Sequence, residues 1–266
     1  MSSQELASGK LVLDEPAHHV VRIRISNPAK RGALDHEILD TLAEAARTLA
    51  ARCLVIAGSG RVFSAGYDIG NLEGQRFEEA AERLVAHPFH AAVEALDAYP
   101  YPIVAQLNGH AIGGGLELAL TADIRLAARG VKLGMPPAKL GLIYSHTGLQ
   151  KFLEVCGPAF TSELFFVGQN VEAERAERMG LVNEVVEPVE LEARTRALAE
   201  EIAAGAPLSL SGNKRIIRTL RAATGELPED VAHELVELRE SCFRTEDFRE
   251  GIQAFGEKRR PEWKRR

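Results

Sequence analysis

Residues 10–26, KLVLDEPAHHVVRIRIS, alternate apolar and polar positions on both sides of a proline-containing stretch. That pattern predicts a hairpin opening a sheet, with its turn near Pro16. The next segment, ALDHEILDTLAEAARTLAA (33–51), repeats apolar residues at helical spacing, and CLVIAG (53–58) then reads as a buried strand. Residues 78–100 predict one long helix, or two broken at Pro88, followed by a strand in PIVAQLNG (102–109) and a helix starting in GGGLELALTAD (113–123). IRLAA (124–128) and VKLGMP (131–136) are short strand candidates. From about residue 190 the pattern becomes almost wholly helical, through LEARTRALAEEIAA, LSLSGNKRIIRTLRAA, DVAHELVELRESCF and EDFREGIQAFGEKRR. Such alternation followed by helices predicts an α/β core over residues 1–190, with loops at the carboxyl ends of its strands. The helical region 191–266 is available to cover a site or pair subunits.

Two glycine-bearing loops follow successive strands in this pattern, FSAGYD (63–68) and GHAIGGGLE (109–117). Glycines let backbone N–H groups approach a ligand, and a helix starting at the second loop points free N–H groups and its positive end outward. Together the loops can form an oxyanion hole; each alone can equally be a tight turn. Neither matches G-x-G-x-x-G or G-x-x-x-x-G-K-[ST], and neither follows the first strand, which disfavours nucleotide binding.

Composition narrows the partners. At 266 residues, with 45% hydrophobic and 26% charged positions, the chain has the make-up of an ordinary globular protein. A net charge of −6 argues against general nucleic-acid binding, although KRRPEWKRR (258–266) forms a locally basic tail. The three cysteines lie far apart, without C-x-x-C spacing, which points to reduced thiols rather than to a disulfide frame or a metal site. No run approaches the roughly 18 apolar residues of a membrane span, so a cytoplasmic location is expected.

RVFSAGYDIGNL, NGHAIGGGLELALTADIRLAA and EGIQAFGEKRRPEW, in this order and spacing, resemble the crotonase superfamily of enoyl-CoA hydratases and isomerases. The likeness runs from SNPAKRGALD to the C-terminal helix. It implies a crotonase-type ββα spiral core with a C-terminal helical trimerisation region, assembled as a trimer or a dimer of trimers. It further implies that the N–H groups of Tyr67 and Gly114 hold the thioester oxygen of an acyl-CoA. Lys30, Arg31, Ala33, Ala65, Asp68 and Ile69 would lie along the CoA, and Phe255 and Lys258 match positions that reach the CoA of a neighbouring subunit. Coenzyme A enters as part of the substrate, with no separate cofactor or metal.

The departures from that pattern bear on the reaction. Of the two glutamates that flank substrate in the hydratases, the first is present as Glu117; at the second, LGMPPAKLG places Pro137. Hydration needs one group to activate water and another to deliver a proton, so a lone carboxylate suits it poorly. GMPPAKLGLIYSHTGLQKF is similar to the methylmalonyl-CoA decarboxylase branch, in which a proline also stands there and a tyrosine follows, here Tyr144. Tyr67 replaces that branch's histidine. These residues suggest decarboxylation of a short malonyl-type CoA, with Tyr144 orienting the carboxylate and Glu117 either protonated or structural. A hydratase or isomerase with a relocated base, and a silent CoA-binding subunit, are the alternatives. Among the histidines, His146 is a pocket candidate, and His110 is either a substrate contact or satisfied by backbone. The adjacent Ser145 and His146 point in different directions, against a nucleophile pair.

Overall fold

The computed structural model of the chain describes residues 3–68, 87–225 and 227–264. Strand β1 (Gln4–Leu6) pairs with β2 (Leu11–Ala17), and β2 with β3 (Val20–Ile25), all antiparallel. The hairpin turn falls at His18–His19, where His19 takes φ 61°, and not at Pro16 as the sequence predicts. Pro16 stays within β2, where the register shifts between Asp14 and Ala17; a ring without an N–H is tolerated at such an irregularity.

Helix α1 (His36–Thr48) starts at Asp35, whose side chain accepts from the Ile38 N–H at 3.0 Å and satisfies an otherwise orphan donor. Its buried stripe of Ile38, Leu39, Leu42, Ala43, Ala45 and Ala46 is the helical spacing seen in the sequence. The chain then forms β4 (Cys53–Gly58), β5 (Val62–Ser64), α2 (His87–Ala98) and β6 (Ile103–Leu107). Every residue of β4 and β6 is buried, as expected of inner parallel strands covered on both faces. Next come β7 (His110–Ile112), α3 (Gly114–Leu120), β8 (Ile124–Ala128), β9 (Lys132–Gly134) and α4 (His146–Ser162), then β10 (Val171–Glu172), α5 (Ala173–Arg178) and β11 (Glu184–Val186).

Two sheets result. The larger has the order β1-β2-β3-β4-β6-β8-β11 and is parallel from β3 onward; the smaller has the order β10-β9-β7-β5. In the smaller sheet β5, β7 and β9 are parallel, which sets the ends of β5 and β7 side by side. The two glycine loops leave from those ends.

Helix α6 (Leu191–Ala204) buries Leu191, Thr195, Ala199 and Ala203 and contacts the large sheet. Helices α7 (Pro207–Gly225), α8 (Glu229–Phe243) and α9 (Glu246–Glu257) complete the helical region. Phe243 and Phe248 stack edge-to-face with centroids 5.4 Å apart and, with Cys242, pack against Leu142. The close fit of α9 on this loop requires glycine: a Cβ at Gly251 would meet the Leu140 carbonyl oxygen at 2.4 Å. The C-terminal helices therefore brace residues 140–144 of their own chain.

Candidate active site

The first loop is fixed from below. Ser64 Oγ donates to the Gly32 carbonyl at 2.8 Å and accepts from the Gly66 N–H at 3.2 Å. Gly66 takes φ 91°, and a Cβ there would stand 2.8 Å from the Ile112 carbonyl oxygen and 3.1 Å from the Gly114 nitrogen. Only glycine allows the two loops to abut backbone to backbone. Gly113, at φ 57°, then turns the chain into α3, of which Gly114 is the first residue. Its N–H has no intrahelical acceptor. The N–H of Tyr67 likewise donates to no backbone acceptor among the described residues, although its neighbours on both sides are tied to Leu34. The arrangement presents two free N–H groups on touching loops.

Over this pair lies a small polar cluster in an apolar frame. The Tyr67 ring covers Gly114, where an added Cβ would approach it to 3.0–3.2 Å, and it packs edge-to-face on Phe89 at 4.9 Å. Glu117, one helical turn along α3, is 4% exposed and accepts a short hydrogen bond from the Tyr144 hydroxyl. The Tyr67 phenol in turn neighbours that of Tyr144. Burial pushes the Glu117 carboxyl up to about 7, against the lowering effect of its hydrogen bond from Tyr144. Burial, and then the Glu117 charge, push both phenols well above their ordinary range, so they remain protonated donors.

This cluster meets a cavity of about 990 Å³ at Tyr67, Glu117 and His146. Its walls come from α2, the start of α4, α7 and α8. Ser145 caps α4 by accepting from the Gly148 N–H at 3.1 Å, and no hydrogen bond joins its hydroxyl to His146. The His146 imidazole titrates below its ordinary range, mainly through burial and then through the Arg239 charge. Lys151 on α4 pairs with Asp97 on α2 at 2.5 Å across the wall.

The expected CoA residues also converge. The Ala65 N–H donates to the Arg31 carbonyl at 3.1 Å, and Lys30 forms an ion pair with Asp68, so residues 30–34 and 65–68 run side by side. Ala33 is buried, Ala65 is exposed, and Ile69 lies outside the described residues. Other expected residues stand apart. Pro137 is buried and does not line the cavity; its carbonyl accepts from the Leu140 and Leu142 N–H groups and shapes the turn leading to Tyr144. Phe255 is 65% exposed, and Lys258 is an exposed αL cap of α9; neither lines the cavity. His110 faces away and accepts from the Lys132 N–H at 3.0 Å. Phe89, the Lys151–Asp97 pair and Arg239 were not foreseen as site residues. Pro88 was the sole local sign near Phe89, whereas Arg239 reads as an ordinary charge on an amphipathic helix.

Comparison with known proteins agrees with this geometry. The profile of the enoyl-CoA hydratase/isomerase family matches residues 15–266. YngF of Bacillus subtilis (strain 168), assigned to the enoyl-CoA hydratases/isomerases, is 33% identical over 254 residues, covering 92% of this chain and 95% of that protein. A carnitinyl-CoA dehydratase of Salmonella typhi is 35% identical over 221 residues, covering 81% and 82%. Among solved structures, methylmalonyl-CoA decarboxylase complexed with 2S-carboxypropyl-CoA superposes with a TM-score of 0.88 at 27% identity over 100% of both chains. An enoyl-CoA hydratase from Bacillus anthracis superposes with a TM-score of 0.76 at 29% identity, covering 96% and 99%. With its abutting glycine loops at the ends of adjacent strands and a family match over nearly its whole length, the chain belongs to the enoyl-CoA hydratase/isomerase family, the crotonase superfamily.

Proposed function

We propose that the protein decarboxylates a short malonyl-type, methylmalonyl-like acyl-CoA through an enolate. The observation that carries this reading is the composition of the buried cluster: two free backbone donors, two neutral phenols, and one carboxyl held near neutrality, with Pro137 where a second glutamate would stand. Such a set stabilises an enolate and has no second carboxylate to activate water as a base. In this mechanism the N–H groups of Tyr67 and Gly114 hold the thioester oxygen. The bond from the α-carbon to the carboxylate breaks, its electron pair moves into the enolate, and CO2 leaves. The Glu117–Tyr144 pair then supplies the proton to the α-carbon. Lys30 and Asp68 flank the CoA, which arrives with the substrate, and no separate cofactor is proposed.

A second reading has two observations in its favour. A carboxyl at about 7 also suits a general acid–base, and with Glu117 in that role the likeness to a dehydratase fits water chemistry. Malonyl-, methylmalonyl- and ethylmalonyl-CoA assayed beside crotonyl-CoA and a longer enoyl-CoA, with products identified by mass, separate the two. Loss of CO2, impaired about 100-fold or more by Tyr144→Phe, supports decarboxylation. Addition of water to an enoyl-CoA, with the malonyl series untouched, overturns it.

A further inference from the structure

Resting on the reading above, we infer that Arg239 is the specificity-determining residue for a free carboxylate on the acyl group. The cavity that meets Glu117 and Tyr67 carries many charges. Lys151 is paired with Asp97 at 2.5 Å and Arg221 with Glu154 at 2.5 Å, while Glu94 contacts His90 at 3.0 Å, an ion pair only when that imidazole is protonated. Arg239 lines the same cavity and has no carboxylate partner among the described residues. Its sequence neighbour Glu240 also lines the cavity, but adjacent helical residues do not face one another.

The side chain is held in place without being neutralised. Its guanidinium lies 5.7 Å from the centroid of Phe243, itself buried against Phe248, so an aromatic face orients the fork and leaves its donors free. Arg239 lines the cavity together with Tyr67, Glu117 and His146, and its positive charge joins that of Lys151 in favouring the ionised form of Glu117 and lowers the His146 imidazole. Arg215 and Arg218 on α7 add to the positive rim. An uncompensated guanidinium facing a polar cluster in a half-enclosed cavity selects a planar anion, and on an acyl-CoA that anion is a carboxylate.

The test uses unreactive thioethers, so binding is read apart from turnover. S-alkyl-CoA and S-carboxyalkyl-CoA, the latter with the carboxylate on the second carbon from sulfur or several carbons further away, are titrated into wild-type protein, Arg239→Gln and Arg239→Lys. Wild type is expected to prefer a carboxyalkyl thioether by roughly tenfold or more, which corresponds to about 1.4 kcal/mol. Arg239→Gln loses that preference while binding the alkyl thioether as before, and Arg239→Lys retains part of it. The two chain lengths show whether the carboxylate is malonyl-like or remote. In turnover KM is expected to rise while kcat does not fall, because the anion's charge moves away from Arg239 as CO2 forms. Absence of preference in wild type, its survival in Arg239→Gln, or equal loss for both thioethers overturns the inference. If Arg239→Gln fails to fold, Arg239→Met, which keeps an unbranched apolar stem beside Phe243, replaces it. A carboxylate preference in wild type without CO2 release would sink the decarboxylase reading and leave the Arg239 site standing; CO2 release with the preference intact in Arg239→Gln would do the reverse.

Discussion

Glu117 sets the pH behaviour of the site. Its folded value of about 7 lies above the ordinary 4.5, so the folded protein keeps this proton longer than the unfolded chain. The stability it contributes is complete below about pH 4.5 and is lost as pH rises through 7. Glu117→Gln, which cannot ionise, should therefore be more stable than wild type at pH 8, by on the order of 2–3 kcal/mol, with little gain at pH 5; urea midpoints at the two values measure this. The same titration separates the mechanisms. As a proton donor beside a substrate carboxylate, Glu117 works when neutral, so kcat/KM should fall as pH rises through about 7. A profile that instead rises through 7 would mark Glu117 as a base.

At the scale of elements, the junction of β5, β7 and α3 carries the proposed chemistry. Gly114→Ala keeps the N–H but brings a Cβ against the Tyr67 ring; Gly114→Pro brings the same Cβ and deletes the N–H, at a helix position where proline is tolerated. The proline variant should turn over roughly 100- to 1,000-fold more slowly than the alanine variant, with similar melting temperatures. Equal rates would remove Gly114 from the donor pair. Unimpaired CoA binding together with lost turnover would also exclude a silent binding subunit. The start of this helix was legible in the GGGLE run, since glycines before an apolar repeat announce a tight entry. The short strands β5 and β7 were not. Three residues carry too little periodicity, and both exist because they pair with each other across the chain.

At the scale of the whole molecule, α8 and α9 fold back to clamp the loop bearing Tyr144. Phe243→Ala should release them, at a cost of about 3–5 kcal/mol, and should lower activity well before the sheet melts, read by assay and circular dichroism on one sample. Full activity in a folded Phe243→Ala protein would show the clamp to be dispensable. Helix α7 also leaves Leu208 at 88% and Leu220 at 63% exposure, with Ile216 and Ile217 more than half exposed. These apolar side chains are expected to be covered by further copies of the chain, whether as a trimer or a dimer of trimers. Sedimentation should show an oligomer that Ile217→Asp weakens; a monomer at micromolar concentration would count against that assembly.

The sequence by itself determined the layered α/β order, the long helices, the two glycine loops and the identity of Tyr67, Glu117, Pro137 and Tyr144, because periodicity, turn chemistry and motif spacing are local properties. Only the tertiary structure decided that Glu117 and Tyr144, 27 residues apart, share a hydrogen bond and a raised titration, since burial and low dielectric arise from packing rather than residue type. It likewise decided that Pro137 shapes a turn while Arg239, an unremarkable helical charge in the sequence, faces the cavity. A side chain's direction depends on where its element docks, and that docking is set by contacts with residues remote along the chain.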